Sequence, residues 1–345
     1  MQIKERQLLA PLTTFGIGGS ARWFVEAGTE ADIAEASEWA HERRVPLFVL
    51  GGGSNVLVAD EGFPGLVLHV ALKGLERDGE LFRVAGGESW DQCVQQTLEA
   101  NCAGMECLAG IPGTVGGTPV QNVGAYGQEA ASIIDRVRAF DLIERAFVEF
   151  SNAECGFGYR RSRFNSTDRG RYIVTRVDYR LRQNGAPLIA YEDLKAHFAS
   201  WAKTPTLAET ADAVRSIRRS KGMLLVDGDL DCRSAGSFFK NPTVTEEAAE
   251  RVRKIAADAG VPLRAFPAAD GLVKIPAAWL IEQAGFAKGY ASGGAGISSR
   301  HTLALVNRGA ATAKEVLALA EEISGAVQAR FGIQLQREPE LVGFV

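Results

Sequence analysis

Apolar positions along the chain follow two periods. In residues 31–44, Ile33, Ala34, Ala36, Ser37 and Ala40 recur at helical spacing, and the next run, Pro46 to Leu50, is short and strand-like. Gly51 to Asn55 separate that run from a second strand-like stretch, Val56 to Val58. Further strands are predicted at Val67 to Val70, Leu81 to Ala85, Val137 to Phe140 and Ile173 to Val177, with helical patterns around 88–101 and 207–219 between them. Beyond residue 245 the pattern predicts helices over 246–259 and 276–285. A glycine-rich turn from Gly289 to Gly296 then leads into Leu303 to Val306, and an alanine-rich helix over about 312–331 precedes the last strand. This mixture predicts an α+β fold rather than regular βα alternation. No internal repeat interrupts it, and the polar turn Lys221 to Arg233 is the nearest thing to a boundary.

With 345 residues the chain is too long for one ordinary core, and its apolar fraction of 46% is that of a packed globular protein. A formal net charge of -4 supplies no broad basic field, which argues against nucleic acid as a partner but leaves room for a local cationic pocket. The first residues are polar, and no stretch approaches the ~20 apolar residues of a membrane span, so a cytoplasmic protein without membrane insertion is expected. The five cysteines, Cys93, Cys102, Cys107, Cys155 and Cys232, have no CxxC spacing and predict reduced, buried thiols with no metal site.

Two glycine-rich loops carry candidate chemistry. Gly51, Gly52, Gly53, Ser54 and Asn55 form one; Ile111, Pro112, Gly113, Thr114, Val115, Gly116 and Gly117, following Gly110, form the other. Successive backbone N–H groups without an intervening Cβ can bind a pyrophosphate without lysine. The first loop does not open a helix, as a Rossmann fingerprint requires, nor does it end in the Gly-Lys-Ser/Thr of a P-loop. A flavin dinucleotide suits two such loops, with Gln121, Asn122, Gly124 and Ala125 offering further groups near the ring system. The run Ser234 to Pro242 combines small residues, two phenylalanines to anchor it, and Ser237, Lys240 and Asn241 as polar groups for a ligand.

Set beside Cys155-Gly156-Phe157-Gly158-Tyr159-Arg160 and Gly110 to Gly117, the Ser234 to Pro242 run resembles the UDP-N-acetylenolpyruvoylglucosamine reductase family, flavoenzymes of peptidoglycan precursor synthesis. The resemblance extends from Thr14 to Glu338. It implies a flavin-binding fold of the vanillyl-alcohol-oxidase (PCMH) type: subdomains at 1–70 and 71–220, a C-terminal α+β substrate domain at 221–329, and residues 330–345 returning to the active site. It also implies noncovalent FAD, NADPH as reductant, a nucleotide-sugar substrate and a monomer. The four histidines, His41, His69, His197 and His301, lie outside both glycine loops, which fits noncovalent flavin.

By the same resemblance Arg160 is the catalytic arginine, Ser237 the proton donor and Glu338 the catalytic carboxylate. Arg161 and Arg163 read as a solvated basic turn, Ser234 is the competing hydroxyl, and Glu340 is the runner-up to Glu338. The chain carries Pro339 and Glu340 where relatives commonly have Val and Arg. Tyr126, Tyr159, Arg218, Lys221 and Asn241 are implied substrate contacts. Tyr191 resembles the tyrosine on the mobile loop of type I members. His301 reads as structural or peripheral. The competing activity is a flavin-dependent sugar or aldonolactone oxidase.

Overall fold

The strand Phe63–Val70 is buried from Gly65 through Leu68, the signature of an inner strand whose sheet is covered on both faces. Ser20–Ala27 and Leu47–Leu50 run parallel on either side of it, and Ile3–Leu8 adds an edge strand next to Ser20–Ala27. The crossover helix Glu30–Glu42 turns Ile33, Ala36 and Ala40 inward, and starts with a capping box in which Thr29 and Asp32 satisfy each other's backbone N–H groups. In this computed structural model, which describes residues 1–344, the chain forms two compact units.

The first unit comprises Met1–Gln7, Ser20–Gly53 and Phe63–Ser220. Besides the parallel sheet it holds a five-stranded antiparallel sheet, ordered Ala146–Ser151, Ile134–Asp141, Tyr172–Arg180, Leu81–Ala85 and Leu75–Asp78. Glu30, the first residue of the crossover helix, ties that helix to the antiparallel sheet. Arg138 on the antiparallel sheet donates to both its oxygens at 2.8 and 3.0 Å, and this hydrogen-bonded guanidinium holds the Glu30 carboxyl below its usual range. Helices Trp90–Glu99 and Leu207–Ser220 cover the core of Phe82, Val84, Trp90, Val137, Val177 and Tyr179. Core polar atoms are satisfied: Trp90 Nε1 donates to the Leu108 carbonyl at 3.0 Å, and the Tyr179 and Thr118 hydroxyls meet at 2.6 Å.

The second unit gathers Leu8–Gly19, Ser54–Gly62 and the described residues from Lys221 onward. Its core packs Phe15, Ile17, Phe238, Phe239, Leu280 and Ile281 against the apolar face of helix Ala313–Phe331, led by Val316, Leu319, Ile323 and Val327. Segment 54–62 belongs here because Val56–Val58 pairs parallel with Glu340–Val342. The expected division put residues 1–70 together; instead, two short stretches of that region join the C-terminal unit, and Gly51–Asn55 spans the crossover between units.

Asp60 fixes segment 54–62 to the long helix. Its oxygens accept from the Ala313 N–H at 2.7 Å and the Lys314 N–H at 3.2 Å, while Thr312 and Glu315 form a capping box. Together these satisfy the orphan donors of the first turn. Asp60→Ala should destabilise the second unit by about 1–3 kcal/mol, read as a lowered thermal midpoint. An unchanged midpoint would show that water replaces the carboxylate at no cost.

Candidate functional site

In the first unit the two glycine loops meet backbone to backbone. A Cβ built on Gly52 would stand 2.5 Å from Gly113 Cα and 3.0 Å from Thr114 N, and one on Gly51 would stand 2.9 Å from Thr114 Oγ1. Only glycine permits that approach. The second loop is held from behind: Trp90 N–H donates to Gly113 O at 3.1 Å, Val115 N–H to Glu88 O at 2.9 Å and Gly116 N–H to Gly86 O at 2.8 Å. The peptide groups of Gly110 are clamped as well. Asp91 accepts from its N–H at 2.7 Å, and Arg218 Nε donates to its carbonyl at 3.0 Å. Asp91 also accepts from Arg215 at 3.0 Å. Sequence reasoning missed Asp91, since an acidic residue in a helix's first turn is common and carries no signal of a loop that arrives from elsewhere.

Three expected site residues other than glycine adopt left-handed backbone: Asn122 with φ 45°, Tyr126 with φ 49° and Arg160 with φ 52°. Tyr126 and Gly127 form the two-residue turn between Gly124–Ala125 and Gln128–Glu129, where positive φ at both central positions matches the twist of the hairpin. Arg160 occupies a tight turn closed by mutual Gly158 and Arg161 backbone hydrogen bonds of 2.9 and 3.2 Å. Such backbone costs on the order of 1 kcal/mol or more for a bulky residue and concentrates at functional sites. Asn122 joins the two turns. Its Nδ2 donates to Glu129 at 2.9 Å and to Gly158 O at 3.0 Å, and its Oδ1 accepts from Ala131 N–H at 2.9 Å. Its amide hydrogens, expected near a flavin ring, are therefore committed inside the protein.

Arg160, its Nε shielded from solvent, lies in the electrostatic range of the buried Arg218. Burial, chiefly, and the Arg160 charge depress the Arg218 guanidinium, while Tyr126 and Asp91 offset part of that. Tyr191 stands edge-on to Tyr126, ring centroids 5.4 Å apart, and is 45% exposed; Tyr159 is also exposed. Gln121 is half-buried. Arg163 is structural: it pairs with Asp168 at 2.8 Å and stacks on Phe150.

In the second unit, residues 238–240 pair antiparallel with 336–338. Phe239 faces Arg337, Glu338 N–H donates to Phe238 O at 2.9 Å, and Lys240 N–H donates to Gln336 O at 2.9 Å. This short ladder sets Phe238 opposite Glu338, so Ser237 lies one position beyond Glu338 on the paired segment, anchored by the buried Phe238 and Phe239. Glu338 is half-buried, whereas Glu340 is exposed. Asn55 Nδ2 donates to the Glu338 carbonyl at 3.3 Å, and Glu340 N–H donates to the Asn55 carbonyl at 3.0 Å, so the Ser54–Asn55 corner braces the same strand. Ser234 is buried, its hydroxyl accepting from the Gly236 N–H at 3.1 Å, which orients it within the loop. Asn241 Oδ1 accepts from the Ala277 N–H at 2.9 Å at the start of helix Ala277–Gln283. His301 Nδ1 accepts from Leu303 N–H at 3.3 Å; burial, with Lys221 and Lys288 nearby, lowers its pKa to about 4, so it stays neutral. All five cysteines are buried free thiols.

Known proteins resemble this chain across both units. Residues 21–146 match the family described as FAD binding domain, a span that contains both glycine loops, and residues 228–342 match UDP-N-acetylenolpyruvoylglucosamine reductase, C-terminal domain. The UDP-N-acetylenolpyruvoylglucosamine reductase of Streptomyces coelicolor is 46% identical, over 97% of this chain and 89% of its own. That of Pseudomonas aeruginosa is 39% identical over 99% of both chains. The crystal structure of the Thermus caldophilus reductase superposes with a TM-score of 0.70 at 29% identity, covering 99% of each chain. The chain belongs to the UDP-N-acetylenolpyruvoylglucosamine reductase family, FAD-binding oxidoreductases of peptidoglycan precursor synthesis.

Proposed function

We propose that the protein reduces UDP-N-acetylglucosamine enolpyruvate to UDP-N-acetylmuramate in the cytoplasm, with NADPH as the electron source and noncovalent FAD as the carrier. Bound FAD supplies the hydride that adds to C3 of the enolpyruvyl ether. Gly51 to Gly53 and Ile111 to Gly117 hold the cofactor; the N–H groups of Val115, Gly116 and Gly117 brace the second loop internally, so the pyrophosphate meets the remaining backbone N–H groups of the two closely packed loops. What remains for the protein is to stabilise the negative charge left at C2 and its carboxylate, and then to protonate C2.

Arg160 stabilises that charge, because its planar fork matches the substrate carboxylate and its constrained backbone limits the reorganisation needed to meet it. Ser237 delivers the proton to C2, and Glu338 hydrogen-bonds the enolate-like charge. Lys221, Arg218 and Asn241 bind the nucleotide diphosphate region, while Tyr126, Tyr159 and Tyr191 contact the substrate, Tyr191 by closing over it. The observation that carries this reading is the ladder between residues 238–240 and 336–338, which holds Ser237 and Glu338 within one position of each other on paired segments. It favours Glu338 over the exposed Glu340 and Ser237 over the internally bonded Ser234.

Gly52→Ala should yield protein with diminished visible flavin absorbance, because the new methyl group meets the Gly113 and Thr114 backbone rather than a movable side chain. Full flavin content would refute the cradle. Ser237→Ala separates the half-reactions. Anaerobic NADPH should bleach the flavin at the normal rate, while its reoxidation by the enolpyruvyl sugar should slow by roughly 10²- to 10⁴-fold, the usual loss of a positioned general acid. Equal impairment of both halves would make Ser237 a structural residue of its turn. Reduction of the flavin by a free sugar rather than by NADPH would instead favour the oxidase activity.

A further inference from the structure

Glu106 is a fully buried carboxylate that the proposed chemistry does not use. Its Oε1 accepts from Gln128 Nε2 at 2.6 Å and from the Leu188 N–H at 2.9 Å, and its Oε2 accepts from the Gly104 N–H at 2.8 Å. Gln128 is fixed in turn, its Oε1 accepting from the Cys107 N–H at 2.8 Å. On the other side of Leu188, the Cys107 thiol donates to the Leu188 carbonyl at 3.1 Å. Burial, then the Glu106 charge, pushes that thiol up to about 12, which keeps it a protonated donor. Leu188 is thus gripped through its N–H and its C=O by two consecutive residues of one buried turn.

Leu188 begins the segment that ends at Tyr191. Between them, Ala190 packs over the turn that carries Tyr126: a Cβ on Gly127 would stand 3.6 Å from Ala190 Cβ. The Tyr191 ring then meets Tyr126 edge-on. Beyond it, helix Glu192–His197 buries Leu194. Taking a carboxylate out of water is costly, and the three donors that meet Glu106, one of them the Leu188 N–H, make that burial tolerable.

We propose that Glu106 and Cys107 are positioning residues for Tyr191, holding Leu188 as the stationary end from which the segment closes over the sugar nucleotide. This inference rests on the substrate role proposed for Tyr191. With Leu188 released, the segment would have to be ordered when substrate binds, which weakens binding and leaves the chemical step and the cofactor untouched.

The test compares Glu106→Ala and Cys107→Ala with Tyr191→Ala in the flavin-loaded enzyme, measuring bound FAD, kcat, KM for UDP-N-acetylglucosamine enolpyruvate, and hydrogen exchange across residues 187–190. Glu106→Ala should raise KM about tenfold and Cys107→Ala about threefold, with kcat and FAD content near wild type, as expected for loss of one charge-assisted and one weak hydrogen bond. Exchange of the Leu188 amide should quicken in Glu106→Ala. Glu106→Gln, which keeps one acceptor oxygen, should recover part of the loss, and Cys107→Ser, which keeps a donor, most of it. If Tyr191→Ala raises KM while both alanine variants at 106 and 107 leave it unchanged, the anchor is refuted and the role of Tyr191 stands. An unchanged KM in Tyr191→Ala would overturn that role and this inference with it. Should Glu106→Ala not fold, Cys107→Ala and its serine counterpart decide the matter.

Discussion

The pairing of residues 238–240 with 336–338 is the contact on which the chemistry proposed for the second unit depends. Its few backbone hydrogen bonds are individually weak, but Phe238 and Phe239 lock them by burial in the core beneath helix Ala313–Phe331. The ladder joins two segments remote in sequence, one carrying Ser237 and the other Glu338. Neighbouring contacts reinforce it: Asn55 braces the Glu338 strand, Val56–Val58 pairs with Glu340–Val342, and Asp60 joins that strand to the long helix. The stretch from Ser54 to Gly62 therefore serves as a strut for the segment that carries Glu338 as well as the continuation of a glycine loop.

The first unit uses a different device. Its site groups sit on turns rather than on regular elements, and precision comes from backbone geometry held by the core. The positive φ of Tyr126 and Arg160 would relax in a loosely packed loop; here Asn122 spans both turns with three hydrogen bonds. The glycine loops add close backbone approach at Gly52 and Gly113, and Asp91 and Arg218 grip Gly110 from its two sides. Arg218 thus carries a structural load alongside its proposed contact with the nucleotide, which accounts for a nearly complete burial that a purely phosphate-binding arginine would not need.

Much of this was legible in the sequence wherever periodicity ran long enough. The helices at Leu207–Ser220, Glu246–Asp258 and Ala313–Phe331 follow their apolar spacing to within a residue or two. Ile3–Leu8 was not, because its interior is Lys, Glu, Arg and Gln, as suits an exposed edge strand. Nor was Glu192–His197, too short to show a period. The motifs identified the loops and the family, but not which loop meets which. The contact of Gly52 with Gly113, the commitment of the Asn122 amide and the anchoring of Leu188 by Glu106 all depend on register between distant segments, information that no local pattern contains.

The central claim, that Ser237 and Glu338 act as one constellation on one ladder, is tested most directly by a double-mutant cycle on flavin reoxidation using Ser237→Ala and Glu338→Gln. Groups that act as a unit are strongly non-additive, so the double variant should reoxidise about as slowly as the slower single variant. A double variant whose loss equals the product of the two single losses would show that the residues act independently, and would contradict the account.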